Sequence, residues 1–380
     1  MHLQESDPMD TIQKLQLLSE ASQYDLACAC GTNDTDRRKR GKNGSWLYPV
    51  SLPQGGYSVI FKTLMSNSCI NDCKYCPYRI DSDVRRCTIG SDEVVGTFLE
   101  YYRQKKVFGL FLSSGVISNP DKTMELLNDT AGLLRKKHNF RGYIHLKIIP
   151  GASDAAIEEA VNLASAVSIN IETPGIRSFG KLTAKKNYMN DIIAPLKLIS
   201  RLTQKHSRYQ RVKKTTQFIV GASDETDAEI VRYTAGMYKK LNLNRVYFSS
   251  YQRGLGDSNI PGEERKYIRK EDGFLREHRL YQVDFLLRKY GFIESDFVFD
   301  EQGHLFLDDD PKNVWAKRHP EFFPVNINHA GKYALLRVPG IGPQTARMIL
   351  EIRKEGKIRK IDGLPLKGKR LEKAQSYIAF

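Results

Sequence analysis

The 380-residue chain has no apolar run of the length a bilayer requires, and its opening, MHLQESDPMD, has neither a basic start nor an apolar stretch. Those absences argue against a membrane span and a secretory leader, so no membrane association and a cytoplasmic setting are the expectation. Cysteine is scarce as well. Six in 380 residues is far below the density of a disulfide scaffold, and in a reducing compartment grouped cysteines act as metal ligands or catalytic thiols. Three of the six, Cys69, Cys73 and Cys76, fall within eight residues. Acidic residues run short at the end of the chain. Residues 311–380 hold 15 basic against 5 acidic side chains, so +10 of the net +15 lies there. A basic module on a nearly balanced body suits a polyanionic partner, because neutralising phosphates releases counterions; a solvated basic face is the plainer account of the charge alone. Hydrophobic residues make up 41%, enough for a core, and the length favours two domains.

Residues 10–30 have helical apolar spacing (Ile12, Leu15, Leu18, Ala21), and a basic loop follows with Arg37, Arg38, Lys39, Arg40 and Lys42. From Tyr57 strands and helices alternate. Strands are expected at 57–65, 107–115, 143–149, 166–172, 214–221 and 245–250, with helices at 91–106, 121–138, 153–164, 187–204 and 226–241. Such alternation implies a parallel sheet with helical crossovers, either doubly wound or a barrel. In both, functional groups collect at the C-terminal ends of the strands. Those ends carry the cysteines, Ser113–Ser114–Gly115, Lys147, Glu172 and Tyr251. Beyond them come a loop at 252–270, a helix from Asp272 to Tyr290 and an irregular stretch from Phe299 to Pro324.

The run SNSCINDCKYCPYR sets three cysteines in C-x3-C-x2-C spacing. Three thiolates on a four-iron cube leave one iron without a protein ligand, and an open metal position is where a cofactor or substrate binds. A structural zinc site would need a fourth Cys or His at regular spacing, and none is nearby. Cys28, Cys30 and Cys87 could ligate a second centre or be ordinary small buried residues. With Tyr75 just before the third cysteine, and the loop following the first strand, the run resembles the signature of the radical S-adenosylmethionine (SAM) superfamily.

That resemblance implies a partial (β/α)6 TIM-like barrel, a 4Fe–4S cluster on Cys69, Cys73 and Cys76, and S-adenosylmethionine chelated at the open iron. One electron, from a donor such as flavodoxin or ferredoxin, then releases a 5′-deoxyadenosyl radical. It also implies cofactor contacts from Tyr75, from the small-residue turn Ser113–Ser114–Gly115, which departs from the family's usual Gly-Gly-Glu, and from Glu172 at the ribose hydroxyls. The turn could equally be an ordinary strand-to-helix connection.

In the tail, LLRVPGIGPQTA resembles a helix-hairpin-helix module. Gly340-Ile341-Gly342 lets backbone amides at the start of the second helix converge on an anion, with Lys332, Arg337 and Arg347 flanking. Such contacts hold phosphate without reading bases. A hairpin used for packing or protein contacts is the alternative. The segment Ile358–Ile378 suggests a degenerate second copy.

The expected organisation is residues 1–50 as N-terminal helix and basic loop, 51–295 as the barrel core, 296–324 as linker, and 325–380 as a small all-α nucleic-acid-binding domain. SQYDLACACG, DPKNVWAKRHPEFFPVNIN and the pairing of the two modules resemble a group of radical SAM proteins assigned to DNA modification or repair. Radical chemistry on DNA is the first expectation. RNA modification and a cluster-bearing DNA sensor without catalysis are the alternatives. The basic loop at 37–42 and the run Arg201, Lys205, Arg208, Arg211, Lys213, Lys214 could line a nucleic-acid path or be solvated faces.

Overall fold

The computed structural model describes residues 9–22, 46–51, 56–265 and 272–380. Cys28, Cys30 and the basic loop at 37–42 lie outside them. The described residues form two compact units, one running to Glu225 and including 237–265, the other comprising 226–236 and 272–380.

The first unit begins with helix α1 (Thr11–Ala21), started by an Asp10–Gln13 capping box. Its sheet contains β1 (Leu47–Ser51), β2 (Tyr57–Leu64), β3 (Gly109–Ser113), β4 (Tyr143–Lys147), β5 (Ala166–Ser168), β6 (Lys213–Val220) and β7 (Arg245–Ser250), hydrogen-bonded in that order. β2 to β7 are parallel, while β1 is antiparallel to β2. The parallel strands read as buried runs: all five residues of β3 and seven of eight in β6 are inaccessible, as in a sheet covered on both faces. The connecting helices are α2 (Ser91–Arg103), α3 (Pro120–Gly132), α4 (Asp154–Leu163), α5 (Gly175–Leu182) and α6 (Ala194–Leu202), while α7 (Asp227–Leu241) has residues 227–236 in the second unit and 237–241 in the first. Asn119 with Pro120 starts α3 and Ser153 starts α4, each side chain accepting an otherwise orphaned amide.

One cavity touches Leu64 of β2, Ser113 of β3, Lys147 of β4, Ile219 of β6 and Ser249 of β7. A flat sheet with about 4.8 Å between strands would hold β2 and β7 more than 20 Å apart. The sheet therefore curls, and with no β2–β7 pairing among the described residues it forms the open (β/α)6 barrel.

Several elements depart from the sequence reading. β1 carries Pro49, tolerable because β1 is an edge strand. α5 contains two glycines and follows Pro174, so nothing local announces it. The strand expected at 166–172 ends at Ser168. Beyond it the chain bends, the amides of Ile171 and Glu172 both donate to the Gln217 carbonyl, and Glu172 takes φ +64, a costly conformation for a residue with a side chain. Within the expected loop at 252–270 lies a single helical turn, α8 (Pro261–Glu264).

The second unit includes α9 (Asp272–Lys289), grouped with the core by the sequence reading, and α10 (Pro311–Arg318), within the stretch read as irregular. The signal for α10 was present: Asp310 caps it and Pro311 occupies its first turn. α11 (Lys332–Arg337), α12 (Pro343–Glu355) and α13 (Lys369–Gln375) follow, with β8 (Val325–Asn326) and β9 (Ile378–Ala379) forming a short parallel pair. Leu335, Leu336, Val338, Ile341, Ala346, Ile349 and Ala374 build their shared core. A buried ion pair, Arg276 to Asp227 at 2.7 Å, anchors α9. Burial alone would raise the Asp227 carboxyl, but Arg276, His304 and the Leu305 amide outweigh it and hold the group at about 2.

Candidate functional site

The cysteine loop leaves the C-terminal end of β2 and is tied down along its length. The Ile70 amide donates to the Val116 carbonyl at 2.9 Å and the Lys74 amide to Leu182 at 2.8 Å. Asp72 accepts from the Thr183 hydroxyl and from the Ala184 and Lys185 amides. Arg86 spreads its guanidinium over four carbonyls, those of Asn67, Tyr78, Arg79 and Ser82, at 2.6 to 2.9 Å. Gly115 is forced by contact: a Cβ there would overlap the Ser68 carbonyl oxygen. The small-residue turn thus lets the end of β3 press against the cysteine loop, and the Gly115 amide donates to Ser66 at 2.7 Å.

Cys69, Cys73 and Cys76 all line the cavity, whose volume is about 190 Å³. Backbone amides face two of the sulfurs, those of Asn71 and Val116 at Cys69 Sγ (3.5 and 3.4 Å) and that of Tyr78 at Cys76 Sγ (3.4 Å). Burial pushes the Cys73 thiol up, and it pushes Cys76 to about 12, helped by the neighbouring Cys73. A metal centre bound here has to displace those protons.

Around one zinc, thiolates at 2.3 Å lie about 3.8 Å from each other. Among the described residues, no group of three or more His, Cys, Asp or Glu side chains lies close enough to hold one metal ion. A four-iron cube takes its thiolates at separate corners, and three thiols lining one cavity supply such a donor set. Cys87 does not line this cavity: it is buried and its sulfur faces the Lys14 carbonyl.

Glu172 lines the same cavity while only 5% exposed. Asn170 donates to its carboxylate at 3.3 Å, and the Tyr75 hydroxyl bonds to it. The Tyr75 ring also packs against Leu182, Ile219 and Tyr251. Burial and the adjacent Glu172 drive the Tyr75 hydroxyl well above its ordinary range, so it stays protonated. Lys147 lines the wall beside Ile148, Ile149 and Pro150.

The sequence reading missed Lys186, which lies between α5 and the next helix and carries no motif. Its ammonium bonds to Cys73 and sits beside Glu172. Burial alone would lower its pKa, but Cys73 and Glu172 outweigh that and raise it, so Lys186 stays charged inside the cavity. Arg86 and Asp72 were missed too; only their neighbourhood to the cysteines hinted at them.

Arg201, Lys205, Arg208, Arg211, Lys213 and Lys214 surround the start of β6. The cysteine loop follows the end of parallel β2, so this run occupies the opposite edge of the sheet and cannot line a path to the cavity.

In the second unit the hairpin between α11 and α12 turns at Gly340, with φ +82, where a Cβ would overlap the Arg370 carbonyl. Ile341 is buried. Its carbonyl accepts from Lys312 Nζ at 2.5 Å, a lysine whose burial lowers its pKa to about 7. Gly342 caps α12, and no protein group among the described residues accepts from the amides of Gly342, Gln344 or Thr345. Lys332 and Arg347 are exposed. Arg337, grouped with them from the sequence, is engaged internally: it lies 3.9 Å from the Phe292 ring and 4.5 Å from Trp315, and pairs with Asp296 at 2.9 Å. Its stacking partners hold the guanidinium away from any phosphate role.

No helix among the described residues is long and apolar enough to cross a membrane. No curated protein matches the sequence. Solved structures similar to the chain include methylornithine synthase (PylB), at 13% identity over 59% of this chain and 62% of that one, TM-score 0.46. The FeFe-hydrogenase maturase HydG from Carboxydothermus hydrogenoformans shows 14% identity over 60% and 51%, TM-score 0.46. The radical S-adenosylmethionine methyltransferase TsrM from Kitasatospora setae shows 15% identity over 50% and 35%, TM-score 0.38. The chain therefore spans less than two thirds of the length of each of these three. Residues 322–378 match the family model of the helix-hairpin-helix motif.

Proposed function

We propose that the chain is a radical S-adenosylmethionine enzyme acting on nucleic acid, with DNA the first substrate class, in repair or base modification. The observation that carries the reading is the convergence of three thiols from one loop on a cavity that also presents Glu172 and Lys186. Cys69, Cys73 and Cys76 would hold three corners of a 4Fe–4S cluster. Bound there and reduced by an external donor such as flavodoxin or ferredoxin, such a cluster would supply the one electron that breaks the sulfonium C–S bond of S-adenosylmethionine, and with it radical hydrogen abstraction from the substrate.

The remaining roles belong to this chain's own side chains. Lys186 would oppose the carboxylate of the methionine moiety, and Glu172 would accept from the ribose hydroxyls. Tyr75 orients Glu172 through its hydroxyl. The turn Ser113–Ser114–Gly115, whose Gly115 presses against the loop that carries Cys69, would offer backbone acceptors to the amino group. Ile148, Ile149 and Pro150 keep water away from the reacting centre. In the second unit, the unengaged amides at the start of α12, with Lys332 and Arg347, would hold a phosphate.

The test is anaerobic reconstitution, followed by assay of cofactor cleavage with single-stranded DNA, duplex DNA and transfer RNA. Stimulation by DNA supports the reading, and stimulation by RNA alone selects the RNA-modifying alternative. A reconstituted cluster with no 5′-deoxyadenosine under any condition refutes catalysis and leaves a DNA-binding cluster protein.

A further inference from the structure

At the edge of the barrel opposite the cysteines, between α6 and the end of α7, lies a groove lined by Lys197, Arg201, Lys205, Lys214 and Lys240. No carboxylate lines it. Lys197 and Arg201 lie four apart on one face of α6, an arrangement unfavourable to a helix without counter-charge, and Lys205 follows just beyond its end. None of these three, nor Lys240, makes an ion pair among the described residues. Other lysines of the same unit find carboxylates, Lys14 with Glu93, Lys136 with Glu159 and Lys181 with Asp224. Lys214 is 4% exposed, and its ammonium has one hydrogen bond, to the Thr203 hydroxyl at 2.9 Å. A buried ammonium with that single partner is costly unless an anion completes its shell.

We propose that this groove binds the phosphates of a nucleic-acid strand, as an anchoring surface separate from the hairpin. Charge selects the ligand: five cationic side chains line the groove with no carboxylate among them, more than a lone phosphate or a mononucleotide needs, whereas a strand offers successive phosphates roughly every 3.4 Å. Because the groove is at the far edge of the sheet from the cavity, it binds flanking strand and not the reacting nucleotide. The inference rests on the nucleic-acid part of the proposed function.

The experiment uses the full chain with fluorescent 20-nucleotide single strands and duplexes, following anisotropy against KCl concentration. It compares the wild type, the triple variant Lys197→Gln, Arg201→Gln, Lys205→Gln, the variant Lys214→Met, and Gly342→Asp in the hairpin. The triple variant replaces exposed side chains only, so its thermal unfolding should match wild type. Each lost phosphate contact lowers the salt slope by about 0.7 to 0.9, so the triple variant should lose about 2 from the slope and bind at least about 10-fold more weakly. The hairpin variant should lose affinity independently. A triple variant with the wild-type slope, beside a Gly342→Asp variant that no longer binds, overturns the groove and leaves the nucleic-acid reading intact. Wild type that binds neither oligonucleotide overturns both. Displacement of oligonucleotide from the groove by millimolar inorganic phosphate, without loss of slope in the triple variant, assigns it to small anions and also overturns the proposal.

Discussion

Replacing Arg86 with alanine withdraws one guanidinium from four backbone carbonyls of the loop that carries the cysteines. A hydrogen bond from a charged donor contributes roughly 1.5–3 kcal/mol net. Water reaches this half-buried site and takes over part of the bonding, so the whole loss should be about 2–4 kcal/mol, and not four times the single value. Asp72 and the Ile70–Val116 bond continue to hold the first half of the loop. The loosening should therefore concentrate at 78–82, directly after Cys76. The expected result is a folded protein that retains substantially less iron and sulfide per chain after anaerobic reconstitution. Arg86→Lys should recover only part, since an ammonium has three donors and no planar fork. Ethylguanidinium added to the alanine variant should restore iron content, which general destabilisation would not allow. Wild-type iron stoichiometry and an unchanged EPR spectrum of the reduced alanine variant would refute the reasoning.

Three further outcomes are expected. Cys73→Ala should abolish cluster assembly, visible as loss of the brown absorbance near 400 nm; an intact chromophore would mean that the three thiols are not the ligands. Gly340→Ala should cost the C-terminal unit about 2–4 kcal/mol by denaturant unfolding, because the added methyl meets the Arg370 carbonyl at a positive φ; an unchanged midpoint would show that the hairpin packs differently. The Asp227 carboxyl is held at about 2 against an ordinary 3.8, so its stabilisation of about 2 kcal/mol is complete above pH 3.8 and lost as pH falls through 2. Asp227→Asn should abolish that acid dependence and cost about 3–5 kcal/mol at neutral pH by breaking a buried ion pair; acid denaturation curves that coincide for both proteins would contradict this.

Gly342→Asp separates capping from anion binding. Gly342 already has the extended backbone of an N-cap, at φ −107 and ψ 177, a position aspartate favours. The variant should fold at least as well as wild type and lose nucleic acid through repulsion of the phosphate. Retained DNA affinity would remove the hairpin from the interface.

Chemistry written within a few consecutive residues was legible before any fold was known. The cysteine spacing, the small-residue turn and the Gly-Ile-Gly hairpin are local devices, since a loop bends where glycine permits and thiols three or four residues apart face a common centre. Strand and helix alternation likewise announced the parallel sheet, because apolar periodicity is a property of neighbouring positions. The rest depended on contacts between residues far apart in the chain. Lys186 reaches Cys73 from over a hundred residues away, and no periodicity marks it. Glu172 enters the cavity because β5 stops early and the Gln217 carbonyl seizes two amides. Arg337 looks like a phosphate contact beside its hairpin, yet Phe292, Trp315 and Asp296 claim it for the interior. Charge and side-chain type say what a residue can bind; only packing decides what it meets.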